Sequence, residues 1–340
     1  ALLPLSFLLP GIPTTKMTVR PRTVVARASR MRVLYELQRG QNRIFHELPS
    51  GLKMEVISQK GAEAYSEGED GSQKPPLVFV HGSFHAAWCW AVHWLPFFSQ
   101  RGYDCYALSL LGQGESDAPA GPVAGTLQTH AGDVADFVQK NLTLSPVVLG
   151  HSFGGLIVQY CIAISWNQQF AETEGFHPKL AGAVLVCCVP PSGNGGLVRR
   201  YLFSKPIAAL KVTYSLAAKG FQTFPSLCKE TFFSASMDDH LVLRYQQLMA
   251  ESSRMPLFDL RKLNASLPVA PPPSPCPRVL VLGADGDFIV DVEGVAETGR
   301  HFGVSPVCVE GVAHDMMLDP SWEKGAHAIL SWLLNLKVQM

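Results

Sequence analysis

Several chemistries are excluded by what the sequence does not contain. It has no C-x-x-C pair, the spacing that a structural zinc or a dithiol redox site would need. It has no G-x-x-x-x-G-K-[ST] loop, and "GNGGLV" at 193–198 is not a dinucleotide fingerprint, so nucleotide-dependent chemistry has no cradle. No apolar run reaches the roughly 18 residues of a membrane-crossing helix. Charge is also scarce, at 16% of residues, and balanced at 28 basic against 28 acidic. Six of the basic residues (Lys16, Arg20, Arg22, Arg27, Arg30 and Arg32) lie in the acid-free segment 1–32, leaving a mildly acidic body without a Lys/Arg-rich run. That body offers no electrostatic footprint for nucleic acid. With 47% hydrophobic residues, the 340-residue chain can bury a sizeable core and is not intrinsically disordered.

The segment 1–32 reads as an address. It is acid-free, Arg-bearing and rich in hydroxyl and small residues, as organelle transit peptides are, and "VVARAS" resembles the cleavage region of a plastid transit peptide. The expected location is the plastid, with another organelle or secretion as the alternative. Against a signal peptide, the basic residues follow the apolar run "LLPLSFLLP" instead of preceding it. The eight cysteines do not form a disulfide pattern; Cys105, Cys187, Cys188 and Cys308 sit in apolar runs, where cysteine is a small hydrophobe.

Apolar runs of strand length alternate with helix-length segments. Strands are expected at 52–58, 77–82, 103–110, 146–151, 181–188, 277–284 and 305–311, and helices at about 88–101, 126–140, 153–165, 291–301 and 319–336. Continuous apolar strands between helices imply a mostly parallel sheet covered on both faces. Residues 190–276 break the rhythm with helical segments and a proline-rich exit, "SLPVAPPPSPCPR". This divides the chain into a core of 33–189 and 277–340 and a helical cap inserted after the sixth strand, over the carboxyl edge where open α/β sheets place their sites.

Gly150-His151-Ser152-Phe153-Gly154 is a G-x-S-x-G pentapeptide. By composition alone, about one chain in ten of this length would contain one. Here it falls between the strand "PVVLGH" and the helix "FGGLIVQYCIAI", the setting of a nucleophile elbow that exposes a serine hydroxyl. Serine needs a base to accept its proton, and this arrangement follows the chain order serine, acid, histidine. His314, beyond "SPVCVEGVA", is the base; His327, on a helix-like segment, is not. Asp285, Asp287 and Asp291 are all candidates for the acid that orients it, Asp291 also being suited to cap the next helix. Donors for a tetrahedral oxyanion are expected from the backbone N–H groups of Ser83, directly after "LVFVHG", and Phe153. His81, Gly82, Phe84, His85, Gly150, His151 and Gly154 are expected to shape these loops and the pocket. His81 and His85, at i and i+4, have no third ligand in view, so no metal is assigned. Trp88, Trp90 and Trp94 are expected in the core.

The segments "VHGSFHAAWCW", "ALSLLGQGESD", "GHSFGG", "GADGDFIV" and "VAHDMMLD", in that order, resemble the α/β-hydrolase superfamily from about residue 52 to the C-terminus. "DGDFIV" is similar to the family pattern in which the second aspartate is the acid, which implies Asp287, with Asp285 as the alternative. Dehalogenases and epoxide hydrolases of the superfamily use an aspartate nucleophile, whereas this elbow carries Ser152. "HGSFHAAW" is similar to loops of plant methyl esterases and lysophospholipase-like hydrolases. The resemblance implies an α/β-hydrolase fold and a serine esterase that cleaves a carboxylic ester, including a lipid-derived one, with no cofactor. The partner is then a small-molecule or lipid ester, with peripheral membrane contact open. A small-ligand receptor that keeps the triad, or a lyase or C–C bond hydrolase, is the alternative, because one fold hosts many functions.

Overall fold

A computed structural model describes residues 33–63, 73–165 and 178–336. The expected transit segment, 1–32, lies outside the described residues. The strands β1 (Gln41–Glu47), β2 (Lys53–Gln59), β3 (Leu77–Val80), β4 (Cys105–Leu108), β5 (Val147–His151), β6 (Gly182–Val186), β7 (Arg278–Ala284) and β8 (Val307–Val309) form one sheet, ordered β1-β2-β4-β3-β5-β6-β7-β8. From β4 to β8 every pairing is parallel; β1–β2 and β2–β4 are antiparallel.

Every residue of β3, β5 and β6 is buried, because helices cover both faces of the sheet. The two-residue period of a strand divides them between two cores. Leu77 and Phe79 pack with Trp88, Trp90, Trp94 and Ile329 on one side. Val78 and Val80 pack with Leu127, Val134, Leu156 and Phe302 on the other. The three tryptophans are core residues as expected. All eight cysteines are free; Cys308 departs from the expectation of burial because β8 is an edge strand and leaves it exposed.

Two local differences have simple causes. The helix expected over 88–101 is two short ones, α1 (Trp88–Ala91) and α2 (Trp94–Ser99). Pro96 has no N–H for a bond to the Val92 carbonyl and its ring would clash there, so a single helix cannot continue through it. Strand β1 was not expected at all. In "QNRIFHE" the polar residues outnumber the apolar ones, and an edge strand needs no continuous apolar pattern.

The remaining core helices are α3 (Leu127–Asn141) and α4 (Phe153–Ser165), ahead of the inserted segment. Between β6 and β7 come α5 (Gly195–Ser204), α6 (Pro206–Ala217), a 3-10 turn at Gly220–Gln222, α7 (Pro225–Phe232), α8 (Asp239–Ser252) and α9 (Leu260–Ala265). Helices α10 (Val292–Phe302) and α11 (Trp322–Leu334) follow β7 and β8. Asp291 caps α10 by accepting a hydrogen bond from the Gly294 N–H and is also held by Arg200, which settles it as structural. His327 is exposed on α11, away from the cavity.

Candidate active site

Ser152 follows β5 immediately and has φ +52°, in the left-handed region that a non-glycine residue occupies only at a cost. The turn is possible because its neighbours lack side chains. A Cβ on Gly154 would lie 2.4 Å from the carbonyl oxygens of Val80 and His81, and one on Gly150 would lie 2.6 Å from that of Gly154. On Gly82 it would approach Ser152 Cβ to 2.8 Å. The three glycines therefore let the loop after β3, the turn after β5 and the start of α4 come together. Phe84 (φ +68°) and Cys187 (φ +43°), beyond β3 and β6, are also left-handed. Three strained residues thus sit at the carboxyl ends of three neighbouring strands.

His314 and Asp287 reach the same edge from the loops after β8 and β7. The His314 Nδ1–H donates to Asp287, with both carboxylate oxygens at 2.9 Å, and both side chains are withdrawn from solvent. Asp287 also accepts hydrogen bonds from the Ile289 and Val290 N–H groups, which fix its orientation. Burial alone would lower the His314 pKa; the Asp287 carboxylate outweighs it and raises the value above 6.5. Asp285 is exposed and accepts from the Gly311 N–H, so it organises a turn and does not reach His314. Ser152 and His314 line one cavity. Among the described residues no hydrogen bond joins them directly.

The surrounding histidines divide by environment. His81 Nδ1–H donates to the Gly82 carbonyl while its Nε2 accepts from the Leu110 N–H, a pattern that requires the neutral ring. Burial pushes its pKa down to about 3. His151 donates from Nε2 to the His314 carbonyl, and burial, with His314 beside it, likewise pushes it down to about 3. His85 bonds the Ser83 carbonyl through Nδ1 and Asp315 through Nε2.

Two residues were missed in the sequence. Asp315 is completely buried beside His85, and its position directly after His314 was the available signal. Cys187, read as a plain hydrophobe, brings its sulfur within 4.8 Å of an Asp287 carboxylate oxygen; burial, then that carboxylate, push its thiol pKa well up. Ligand atoms of His151, His314 and Asp315, and of Cys187, Asp287 and His314, lie within 4.8 Å of one another. His314 Nδ1, His151 Nε2 and an Asp315 oxygen already serve the hydrogen bonds above, so these groups form a polar network.

The cavity holds about 540 Å³. Ser83, His151, Ser152, Phe153 and His314 lie on its wall, and Phe84, Leu197, Val212, Leu216, Phe232 and Phe258 make much of the rest apolar. The backbone N–H groups of Ser83 and Phe153 have no protein acceptor among the described residues. Phe153 opens α4, where such groups are unpaired by helix geometry. Chemically, the arrangement offers a hydroxyl, an oriented imidazole and unpaired donors around an apolar space.

A family model described as "Alpha/beta hydrolase family" matches residues 77–322, and the chain belongs to that family. It is 30% identical over 112 residues to protein phosphatase methylesterase 1 of Mus musculus, covering 32% of this chain and 29% of that protein. It is 33% identical over 128 residues to "Probable esterase PIR7A" of Oryza sativa subsp. japonica, covering 37% and 43%. The matches thus span less than half the length of these curated relatives. Among solved structures, the esterase EaEST from Exiguobacterium antarcticum superposes with a TM-score of 0.57 at 18% identity, over 85% of this chain and 98% of that one. A hydrolase from Pseudomonas aeruginosa PA01 gives 0.57 at 19%, over 86% and 98%. These two likenesses concern the fold.

Proposed function

We propose that this hydrolase cleaves a carboxylic ester through a covalent acyl-enzyme. The observation that carries the reading is a left-handed serine at a glycine-lined elbow, opening on one cavity with a histidine bonded by an aspartate. In this reading Ser152 Oγ attacks the ester carbonyl while His314 Nε2 takes its proton. Asp287 holds the ring with Nε2 free and stabilises the imidazolium that forms. The Ser83 and Phe153 N–H groups donate to the tetrahedral oxyanion. His314 then protonates the departing alkoxide, and a water deprotonated by His314 releases the acid and restores Ser152. A Ser–His bond absent from the unliganded site is compatible with this, since such bonds often tighten only when substrate arrives.

The apolar cavity supports an ester with an apolar acyl group, and the esterase and methylesterase names among the relatives support ester chemistry. The test compares turnover of p-nitrophenyl esters of increasing acyl length by the wild type and by Ser152→Ala. Wild-type turnover that falls by up to a million-fold in the variant is the expected result. Equal rates would remove Ser152 from the mechanism, and no preference for longer chains would remove the apolar-acyl assignment.

A further inference from the structure

Helices α5 and α6 are apolar on two opposite faces. Inward, Leu197 and Tyr201 of α5 and Ala209, Val212 and Leu216 of α6 line the cavity. Outward, Leu202 and Phe203 of α5 and Ile207, Leu210 and Tyr214 of α6 are exposed, Phe203 at 85%, Ile207 at 74% and Leu210 at 68%. Positions 207, 210 and 214 repeat at i, i+3 and i+7, as do 209, 212 and 216, so α6 carries two apolar stripes about half a turn apart. A helix apolar all round is ordinarily buried all round, yet here one stripe meets solvent. Exposed apolar side chains grouped this way, on two helices that pack together, mark an interaction surface.

The charge carried by this stretch of the sequence is of one sign. From Pro190 to Lys229 the chain has no acidic residue and six basic ones, Arg199, Arg200, Lys205, Lys211, Lys219 and Lys229. Arg200 is held by Asp291, Lys211 by Glu230 and Lys229 by Asp239. Arg199 and Lys205 are exposed on α5 and at its junction with α6, without an acidic partner among the described residues. We infer that the outward face of α5 and α6 docks on an anionic phospholipid bilayer. Leu202, Phe203, Ile207, Leu210 and Tyr214 enter the boundary between head groups and acyl chains, and Arg199 and Lys205 meet the anionic head groups. A second copy of this face is a poorer occupant, because a self-complementary contact would set the same unpaired cations against each other. Docking here places the cavity one helix thickness, about 10 Å, from the lipid. The inference does not depend on ester hydrolysis.

The test is flotation of the full chain with phosphatidylcholine vesicles, with and without phosphatidylglycerol. The wild type is expected to float with the phosphatidylglycerol vesicles and to be released by salt. Combined Phe203→Ser, Ile207→Ser and Leu210→Ser should weaken binding by about tenfold or more. Arg199→Glu with Lys205→Glu should abolish the preference for phosphatidylglycerol, with far-ultraviolet circular dichroism and thermal transition reporting that each variant is folded. Should the triple variant not fold, Ile207→Ser alone and the salt dependence of the wild type make the same comparison. Wild type that floats with neither vesicle overturns the inference. So does a wild-type dimer in analytical ultracentrifugation that Phe203→Ser dissolves, since a second copy would then be the occupant.

Discussion

His85 Nε2 and Asp315 Oδ2 meet at 2.9 Å in the core, where neither side chain reaches solvent. The other ring nitrogen of His85 bonds the Ser83 carbonyl, so this pair ties the loop after β3 to the loop that carries His314. Burial opposes the Asp315 charge, but His85, with smaller help from His151 and His314, holds the carboxyl below its ordinary value. Asp315→Ala would leave His85 with a buried donor and no acceptor, and should cost about 3–5 kcal/mol in urea unfolding. Replacing both partners with apolar residues should cost less than the two single changes added together. Additive costs would show that the pair is not coupled.

The pH dependence of turnover should follow His314. Its pKa lies above 6.5 and in the proposed mechanism it must be neutral to accept the serine proton, so kcat/KM should fall as pH drops through that raised value. The same shift stabilises the folded state below pH 6.5 and ceases to do so as pH rises through the folded pKa. Asp287→Asn removes the attraction. It should move the acid limb of the profile to lower pH and reduce kcat by about 10⁴. An unmoved limb would assign it to another group.

Gly154 and Gly132 should respond oppositely to alanine. At Gly154 the new Cβ meets two carbonyl oxygens at 2.4 Å, so the elbow must open and both stability and activity should fall. At Gly132, inside α3, a Cβ meets nothing within 4 Å, and alanine should stabilise by about 1 kcal/mol through helix propensity alone. Thermal transitions of the two variants make the comparison.

His130 reaches from α3 to the Leu257 carbonyl, and burial pushes its pKa down to about 4. It stays neutral in the folded state while the unfolded chain takes up a proton below about 6.5. Its contribution to stability therefore falls with pH between those values, by about 1.4 kcal/mol per unit. In His130→Asn the slope of unfolding free energy against pH should be shallower by that amount in this window. An unchanged slope would mean that His130 is already protonated in the folded protein.

The sheet was legible because β3 to β7 are continuous apolar runs, a pattern that burial on both faces enforces. The elbow was legible because its glycines are sterically required within five residues of one another. Asp287 needed the resemblance, since spacing alone left Asp285 open; only folding reveals that one is bonded to His314 and the other to a turn. Cys187 carried no pattern of its own, and Asp315 only its place directly after His314. Their roles come from contacts across long stretches of chain, His85 with Asp315 being 230 residues apart. The outward stripe of α6 was visible as hydrophobicity but not as exposure, because periodicity does not say which face a neighbour covers.

Left-handed backbone at Phe84, Ser152 and Cys187 has a consequence for laboratory evolution. Each such residue costs on the order of 1–3 kcal/mol, and glycine would relieve it. A library screened only for heat resistance would find Ser152→Gly among its easy gains, and that change deletes the hydroxyl. Selection for robustness and selection for turnover therefore pull Ser152 in opposite directions. A stabilised variant of this chain that has lost activity should be sequenced at codon 152 before the loss is attributed to anything else.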